Sequence, residues 1–196
     1  MTKVYEAIVI GTSAGGFHAL SSILERLPKE FRLPIIVVQH RAKDSLELFE
    51  EILQRRCPVT VKQADEKEKI RPSTVYIAPP DYHILIEADS TISLSTEGPV
   101  QFSRPSIDVL FESAAVVYRE KLIGIVLTGS NRDGAAGISA ISRQGGLTIA
   151  QDPNEAEYSM MAQASIDTKN VKHVMRLTAI ADLLLKLHND GSSTQS

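Results

Sequence analysis

Three residues of the types used by serine hydrolases each follow an apolar run that is typical of a buried strand. They are Ser13, His40 and Asp133, and the apolar runs are 7–10, 34–38 and 122–127. A serine nucleophile needs a base to accept its proton, and that base needs a carboxylate to hold its tautomer. Because parallel strands end at the same edge of a sheet, the three side chains can converge there. The sequence therefore predicts a Ser-His-Asp catalytic triad.

The turn around Ser13 has the Gly-x-Ser-x-Gly pattern of a nucleophile elbow, from Gly11 to Gly15. Its glycines allow a sharp bend, and the helix predicted after them directs free N–H groups toward the group that Ser13 would attack. Each residue also has a structural interpretation: a helix cap at Ser13, a backbone-bonded histidine at His40 and a turn dipeptide at Asp133-Gly134. Because all three residue types occur after predicted parallel strands, a catalytic role is favoured over three separate structural roles.

The order of these residues along the chain is Ser, His, Asp, which makes two common hydrolase folds poor matches. An α/β-hydrolase runs Ser, Asp, His, and a chymotrypsin-like enzyme runs His, Asp, Ser. The chain instead resembles the catalytic domain of the CheB family, the chemotaxis receptor methylesterases. The resemblance extends from about residue 7 to residue 188, and its blocks are 10–16, 38–40, 75–79, 103–111 and 127–137.

The resemblance implies that Ser13 is the nucleophile, His40 the base and Asp133 the acid. The N–H of Ala14, next to the nucleophile, is a candidate oxyanion donor, and the family uses a second main-chain N–H that falls at Ser130. The implied reaction is hydrolysis of glutamate γ-methyl esters on the cytoplasmic helices of methylated chemoreceptors, which releases methanol. Some members also deamidate receptor glutamines. The implied chemistry uses neither a cofactor nor a metal.

The chain departs from the family pattern at three places near these residues. Ala14 stands where Thr is usual, Arg41-Ala42 where Met-Pro is frequent, and Ser130-Asn131-Arg132 where the family reads Met-Gly-x. Since the triad residues are kept, the differences bear on substrate identity more than on chemistry. The altered loop before Asp133 leaves open a catalytically silent docking module of the same fold.

A dinucleotide-binding module is a further alternative, because Gly11-x-Ser13-x-x-Gly16 partly matches a phosphate-binding glycine pattern. That pattern requires an acidic residue at the end of the second strand to hold the ribose. The chain has Gln39-His40-Arg41 there, so this interpretation is disfavoured.

Length and composition indicate a single globular domain, predicted over 1–190 with a disordered tail over 191–196. The chain has 196 residues, of which 43% are hydrophobic, and a net charge of −3. This size can bury a core, and the charge argues against nucleic-acid binding. We expect a cytoplasmic protein without membrane insertion, because no apolar run approaches the roughly 20 residues that span a bilayer and the N-terminus lacks a signal-peptide layout.

The family resemblance also bears on how the activity is regulated. In the family a receiver domain usually precedes it, and here only a few residues precede the first strand. We therefore expect either constitutive activity or control by a separate regulatory protein. Cys57 is the single cysteine and the five histidines are scattered, so no disulfide or metal site is predicted. Cys57 itself is interpreted as a small apolar residue, with an activated thiol as the alternative.

Apolar runs alternate with helical patterns, which predicts an α/β fold: a doubly wound, mostly parallel sheet flanked by helices in three Rossmann-like layers. The predicted helices are 15–27, 45–56, 106–118, 134–144 and 178–188. The further predicted strands are 59–61 and 74–78, with an antiparallel hairpin of 83–87 and 91–95. Ser106 is the expected N-cap of its helix. In the second helix the side chains expected to face the core are Leu46, Phe49, Ile52 and Leu53. Arg41, Lys43, Arg55 and Arg56 form either a positive rim or scattered surface charge.

Overall fold

The core of the molecule is a seven-stranded parallel sheet. This computed structural model describes residues 4–41 and 48–192. The strands are β1 (Ala7–Thr12), β2 (Ile35–Gln39), β3 (Thr60–Gln63), β4 (Thr74–Ile77), β7 (Leu122–Val126), β8 (Leu147–Gln151) and β9 (His173–Met175). Their order across the sheet is β3-β4-β2-β1-β7-β8-β9, and every pairing is parallel.

Helices cover both faces of this sheet, and a short hairpin lies against one of them. The hairpin strands β5 (His83–Ile86) and β6 (Ile92–Ser95) pair antiparallel. The helices are α1 (Gly16–Leu24), α2 (Leu48–Arg56), α3 (Ile107–Tyr118), α4 (Ala135–Arg143), α5 (Met160–Asp167) and α6 (Leu177–Ser192). Every helix in the described part of the chain is too short or too polar to cross a membrane.

The two faces of the sheet bury two separate apolar clusters. Along β1, Ile8 and Ile10 belong to the cluster under α1, α2 and α6, whereas Ala7 and Val9 belong to the cluster under α3, α4 and the hairpin. Side chains alternate between the faces of a strand. A central strand covered on both sides must therefore be apolar at every position, which explains the continuous apolar runs.

The structure confirms the predicted fold class, including the antiparallel hairpin and the Ser106 N-cap, whose side chain accepts from the N–H of Val109. Three elements are absent from the sequence-based set: β8, α5 and β9. The helix at 15–27 ends earlier, at Leu24. The last helix runs past His188 and takes in Gly191 and Ser192, so the tail predicted from 191 is wrong for these two residues; 193–196 lie outside the described residues.

The second helix also differs from its prediction. The start of the predicted range, 45–47, lies outside the described residues, and so does Leu46. Leu53 is buried and Phe49 half-buried as expected. Ile52 is exposed over 42% of its surface, so its expected inward orientation is wrong. It lines a cavity beside Ser13 instead.

The chain topology brings the candidate residues to one place. From β1 the chain builds the sheet outward through β2 and β4, and it then returns to the other side of β1 as β7. In open α/β sheets the ligand crevice forms outside the carboxyl ends of the strands, at the position where the strand order reverses. Ser13, His40 and Asp133 follow β1, β2 and β7, the three strands at this position.

Phe111 on α3 is fully buried between the sheet and α4, and Gly137 approaches its ring closely. Truncation to Ala removes this contact and leaves a cavity, so we expect Phe111→Ala to lower the free energy of unfolding by about 3–5 kcal/mol. The measurement is urea denaturation followed by circular dichroism.

The matched control is Val116→Ala on the same helix. Val116 is exposed over 66% of its surface, and the change should stay within about 0.5 kcal/mol of wild type. Equal losses for the two variants would contradict the packing described for α3.

Candidate active site

Ser13 lies one residue beyond β1, in a tight turn. The turn requires glycine at position 15. Gly15 has a φ of 77° and is the N-cap of α1. A Cβ there would approach Glu157 and Thr128 to about 3 Å, and L-residues rarely adopt this φ. The Ser13 N–H donates to the carbonyl of Thr128 at 3.0 Å. The serine is therefore held on a rigid turn at the sheet edge.

Thr128, two residues beyond the end of β7, forms hydrogen bonds that hold this turn against the neighbouring loop. Its carbonyl accepts the Thr12 hydroxyl at 2.9 Å, and its own hydroxyl donates to the carbonyl of Ala14 at 2.9 Å. The N–H of Tyr158 donates to the same hydroxyl, and the Thr128 N–H donates to Gln151. These bonds fix the nucleophile turn relative to the loop that carries Asp133.

Gln39, which sequence reasoning did not select for the site, joins the serine to the histidine. Its side-chain amide donates to the carbonyl of Ser13 at 2.8 Å and to that of His40 at 2.9 Å. Gln39 is buried, and it occupies the strand end where a dinucleotide site would need a carboxylate. Its side chain is used internally, which further disfavours the dinucleotide interpretation.

His40 and Asp133 form a direct pair. Nε2 of His40 lies 2.8 Å from Oδ2 of Asp133, and the carboxylate is completely buried. The same carboxylate accepts the Ser106 hydroxyl and the backbone N–H groups of Ile107 and Asp108, at 2.7–3.0 Å. Asp133 therefore orients the imidazole and, in addition, caps the N-terminus of α3.

These hydrogen bonds keep Asp133 ionised although it is buried. Burial by itself raises the pKa of this carboxyl. The hydrogen bond from His40, the N–H groups of Asp108 and Ile107, and the charge of His40 outweigh it, so the pKa of Asp133 lies below its ordinary value. An ionised partner is what an imidazole needs when it takes up a proton.

A second buried carboxyl, Asp108, repeats this arrangement in the opposite direction. Its Oδ1 accepts the N–H groups of Gly134 and Gly137, at 2.9 and 2.7 Å, at the start of α4. Burial raises the pKa of Asp108 to about 6, with the charge of Asp133 adding to the rise and the two N–H bonds opposing it. Each helix of the pair α3 and α4 is thus capped by an aspartate from the other.

The predicted oxyanion donors have unused hydrogens. Within residues 4–41 and 48–192, neither the N–H of Ala14 nor that of Ser130 has a hydrogen-bond partner. Ala14 lies in the turn before α1, and Ser130 follows Gly129 in the loop between β7 and α4. An oxyanion donor must have such an unpaired N–H before a substrate binds.

Two cavities meet at Ser13. One, of about 350 Å³, is polar; it is lined by Ser13, His40, Arg41, Phe102, Ser103, Arg104, Pro105 and Asn131. The other, of about 620 Å³, is largely apolar and includes Phe17, Leu48, Phe49 and Ile52. Ser13 therefore lies between the polar cavity, which we call the reaction chamber, and the apolar cavity.

The surroundings of Arg41 do not suit a positive rim at the surface, and those of Cys57 do not suit an activated thiol. The side chain of Arg41 is only 7% exposed and forms a two-pronged ion pair with Glu50, with its guanidinium over the ring of Phe49. It therefore fastens α2 to the sheet edge and adds nothing to a positive rim; Lys43 lies outside the described residues. Burial and, to a smaller extent, the charge of Glu25 raise the pKa of Cys57 to about 11 against the opposing charge of Arg56. Cys57 is a small apolar residue of the core.

The described ranges contain no metal-ligand cluster, since His, Cys, Asp and Glu nowhere gather there in a group of three.

The model of the family described as CheB methylesterase matches residues 8–184. The chain belongs to the CheB methylesterase family. A crystal structure of the CheB methylesterase catalytic domain from Thermotoga maritima superposes with a TM-score of 0.89 at 32% identity, covering 93% of this chain and 98% of that one.

Two CheB-family relatives differ in how much of them this chain covers. A protein of Leptospira interrogans, assigned by name to the protein-glutamate methylesterases/protein-glutamine glutaminases, is 50% identical over 95% of this chain and 97% of its own length. The protein-glutamate methylesterase/protein-glutamine glutaminase of Clostridium acetobutylicum is 34% identical over 93% of this chain. The chain spans 53% of that relative's length.

The raised pKa of Asp108 has a definite effect on stability. Because the native pKa of about 6 exceeds the ordinary 3.8, the stabilisation is complete below about pH 4 and is lost as the pH rises through about 6. Asp108→Asn keeps an acceptor oxygen but cannot ionise. Between about pH 4 and about pH 7 we expect wild type to lose about 1–2 kcal/mol of unfolding free energy relative to this variant.

The measurement is urea unfolding of both proteins at the two pH values. The lowered pKa of Asp133 places its own effect at more acidic pH, outside this interval. A stability difference that does not change with pH would contradict the assignment.

Proposed function

We propose that this chain hydrolyses glutamate γ-methyl esters carried on the cytoplasmic helices of chemoreceptors and releases methanol. Ser13 is the nucleophile, His40 the general base, Asp133 the acid that supports it, and the N–H groups of Ala14 and Ser130 the oxyanion donors. The observation that carries the proposal is that His40, paired with buried Asp133, lines the same cavity as Ser13. Membership of the CheB methylesterase family supports the proposed substrate class.

In the acylation half, His40 accepts the hydroxyl proton of Ser13 as Oγ attacks the ester carbonyl. Nε2 of His40 is paired with the ionised Asp133, which can only accept, so Nε2 carries the ring hydrogen and the nitrogen that receives the proton is Nδ1. The tetrahedral oxyanion is held by backbone donors, each of which commonly contributes about 3–4 kcal/mol to the transition state. The imidazolium then gives its proton to the departing methoxide, and methanol leaves an acyl-serine.

In the second half, His40 takes a proton from water, whose oxygen attacks the acyl-serine. Breakdown of this second tetrahedral species returns the proton to Oγ of Ser13 and leaves a free glutamate carboxylate. A glutamine side chain would follow the same path with ammonia as the leaving group, which is the deamidation attributed by name to the relatives. Both reactions are acyl transfers to water and use the same residues.

The surroundings of Ser13 suit an ester that projects from a helix. The apolar cavity beside the serine offers Leu48 and Ile52, both more than two-fifths exposed. On the polar side, Phe102 is fully exposed at the tip of a tight turn. Exposed aromatic and aliphatic side chains on both sides of a polar site are typical of contacts with a protein partner.

The turn that carries Phe102 holds it away from the body of the protein. Val100 and Ser103 exchange two backbone hydrogen bonds, and the residues between them, Gln101 and Phe102, have φ values of 49° and 64°. This is a type I′ geometry, which usually contains Asn and Gly. A large side chain in that position is costly, and full exposure leaves its ring available to a substrate helix.

The test of the function is methanol release from a methylated chemoreceptor cytoplasmic domain. Wild type should release methanol, and Ser13→Ala and His40→Ala should each lower the rate by at least about 1,000-fold, because the triad acts as a unit. Ser13→Ala should keep the wild-type unfolding midpoint, whereas His40→Ala should fold with a lowered midpoint because buried Asp133 loses its imidazole partner.

A small substrate, an N-acylglutamate γ-methyl ester, serves as the second assay. Release from the small ester but not from the receptor would retain the chemistry and reject the substrate. Release from neither would favour the docking module over the esterase, and wild-type turnover by Ser13→Ala would overturn the mechanism.

Phe102→Ala should raise KM for the receptor domain by about 10-fold, because the ring loses its burial against the substrate helix. We expect kcat for the receptor, and kcat/KM for the small ester, to stay within about two-fold of wild type. Steady-state methanol release on both substrates gives these values.

Val116→Ala is again the matched control, since Val116 is an exposed aliphatic residue that lines neither cavity. It should leave both substrates unaffected. A parallel loss on the small ester in Phe102→Ala would mean that the ring acts on the reaction chamber and not on docking.

A further inference from the structure

Asn131, in the loop before Asp133, makes three hydrogen bonds inside the reaction chamber. Its Nδ2 lies 3.2 Å from Nδ1 of His40 and 3.4 Å from the hydroxyl oxygen of Ser103. Its Oδ1 accepts the backbone N–H of Asp133 at 3.2 Å. One amide therefore contacts the base, the backbone of the acid and the turn that carries Phe102.

The identity of each partner fixes the orientation of this amide. A backbone N–H can only donate, so the Asp133 N–H must meet the Asn131 oxygen, and the NH₂ group must face His40. An NH₂ group can only donate, so Nδ1 of His40 must carry a lone pair. The ring hydrogen is then on Nε2, where the ionised Asp133 accepts it. All four groups agree on one tautomer.

This lone pair is the one that has to accept the proton of Ser13. Within the described ranges the Ser13 hydroxyl has no hydrogen-bond partner, although it lines the same cavity as His40 and Asn131. The proton-accepting nitrogen is thus bonded to a neutral donor until the serine hydroxyl replaces it. A neutral donor at this nitrogen stabilises the neutral imidazole, which is the form able to act as a base.

We propose that Asn131 is a positioning residue that keeps Nδ1 of His40 unprotonated and directed into the chamber. The proposal rests on the proposed function for its catalytic consequence, but the state of the imidazole can be measured without any substrate. When Nδ1 receives the proton of Ser13 it can no longer accept from Asn131. The amide then turns aside, and its bonds to Ser103 and the Asp133 N–H keep it close enough to return.

Among the described residues, the other charged groups around the imidazole are already paired. Asp133 occupies Nε2, and Asp108 lies behind Asp133 on α3. Two arginines line the chamber: Arg41 is bonded to Glu50, and Arg104 to Asp81. Replacing the Asn131 amide by a charged group is therefore the most direct way to change the charge next to Nδ1 of His40.

The decisive variant is Asn131→Asp, which keeps the shape and the acceptor oxygen but replaces the donor by a carboxylate. A carboxylate beside Nδ1 favours a proton there, so His40 would carry a carboxylate on each nitrogen and become an imidazolium. Because charged hydrogen bonds are worth roughly 1.5–3 kcal/mol, we expect kcat to fall by about 10–100-fold near neutral pH.

The matched variant is Asn131→Ala, which removes the donor without adding charge. We expect a loss of kcat of about 2–10-fold, because a neutral hydrogen bond contributes less. A residue with only a structural role would give the opposite order, since Asp retains the acceptor for the Asp133 N–H and Ala does not.

The readout that needs no activity is NMR of the ring nitrogens of His40, assigned by their loss in His40→Gln. In wild type and Asn131→Ala near neutral pH, Nδ1 should give the signal of a lone-pair nitrogen, shifted in Ala toward the unbonded value. In Asn131→Asp both nitrogens should be protonated. The amide spectrum of each variant reports whether it has folded.

A lone pair on Nδ1 in a folded Asn131→Asp, or an unchanged Nδ1 signal in Asn131→Ala, would overturn the proposal. If Asn131→Asp does not fold, the Ala comparison decides. Loss of esterase activity in wild type together with the expected NMR states would reject the proposed function and retain the role of Asn131.

Discussion

The geometry of this protein depends on a reciprocal exchange of caps between α3 and α4. Asp133, just before α4, accepts the free N–H groups at the start of α3, and Asp108, in the first turn of α3, accepts those at the start of α4. The first N–H groups of a helix have no partner within it, and buried ones must find one. Here the two helix ends satisfy each other, which fixes the loop between β7 and α4 and brings Asp133 to His40.

The exchange also separates the two carboxyls in character. They are close enough for each charge to oppose the other, and the protein resolves this by giving them unequal partners. Asp133 has the imidazole as well as N–H donors and stays ionised, whereas Asp108 has fewer donors and holds a proton more readily. The charge of the pair is thereby concentrated on the carboxyl that faces His40, which is where an imidazolium would form.

The sequence predicted the residues that follow strands better than those that connect them. Ser13, His40 and Asp133 follow long apolar runs within a few residues, and parallel strands bring such positions to one edge of the sheet. Gln39 follows the run 34–38 and Asn131 lies in a loop, but neither residue type signals catalysis, and the roles of both depend on which groups come within hydrogen-bond distance after folding. Ile52 was expected to face inward from its helical spacing, but spacing cannot tell a core from an adjoining apolar cavity. The strand β8 is fully buried and follows the turn at Gly145-Gly146, but Thr148 interrupts its apolar run, so the sequence-based set of strands does not contain it.

The position of Ser13 between a polar and an apolar cavity has a consequence for chemical inhibition if Ser13 is the nucleophile, as we propose. An electrophile that traps Ser13, such as a phosphonate ester, places a charged tetrahedral group beside His40 and still has a second substituent to accommodate. The 620 Å³ cavity bordered by Phe17 and Phe49 can take an aryl or alkyl arm. A compound that combines the electrophile with such an arm would contact both the polar and the apolar cavity. A simple serine reagent contacts the polar cavity alone.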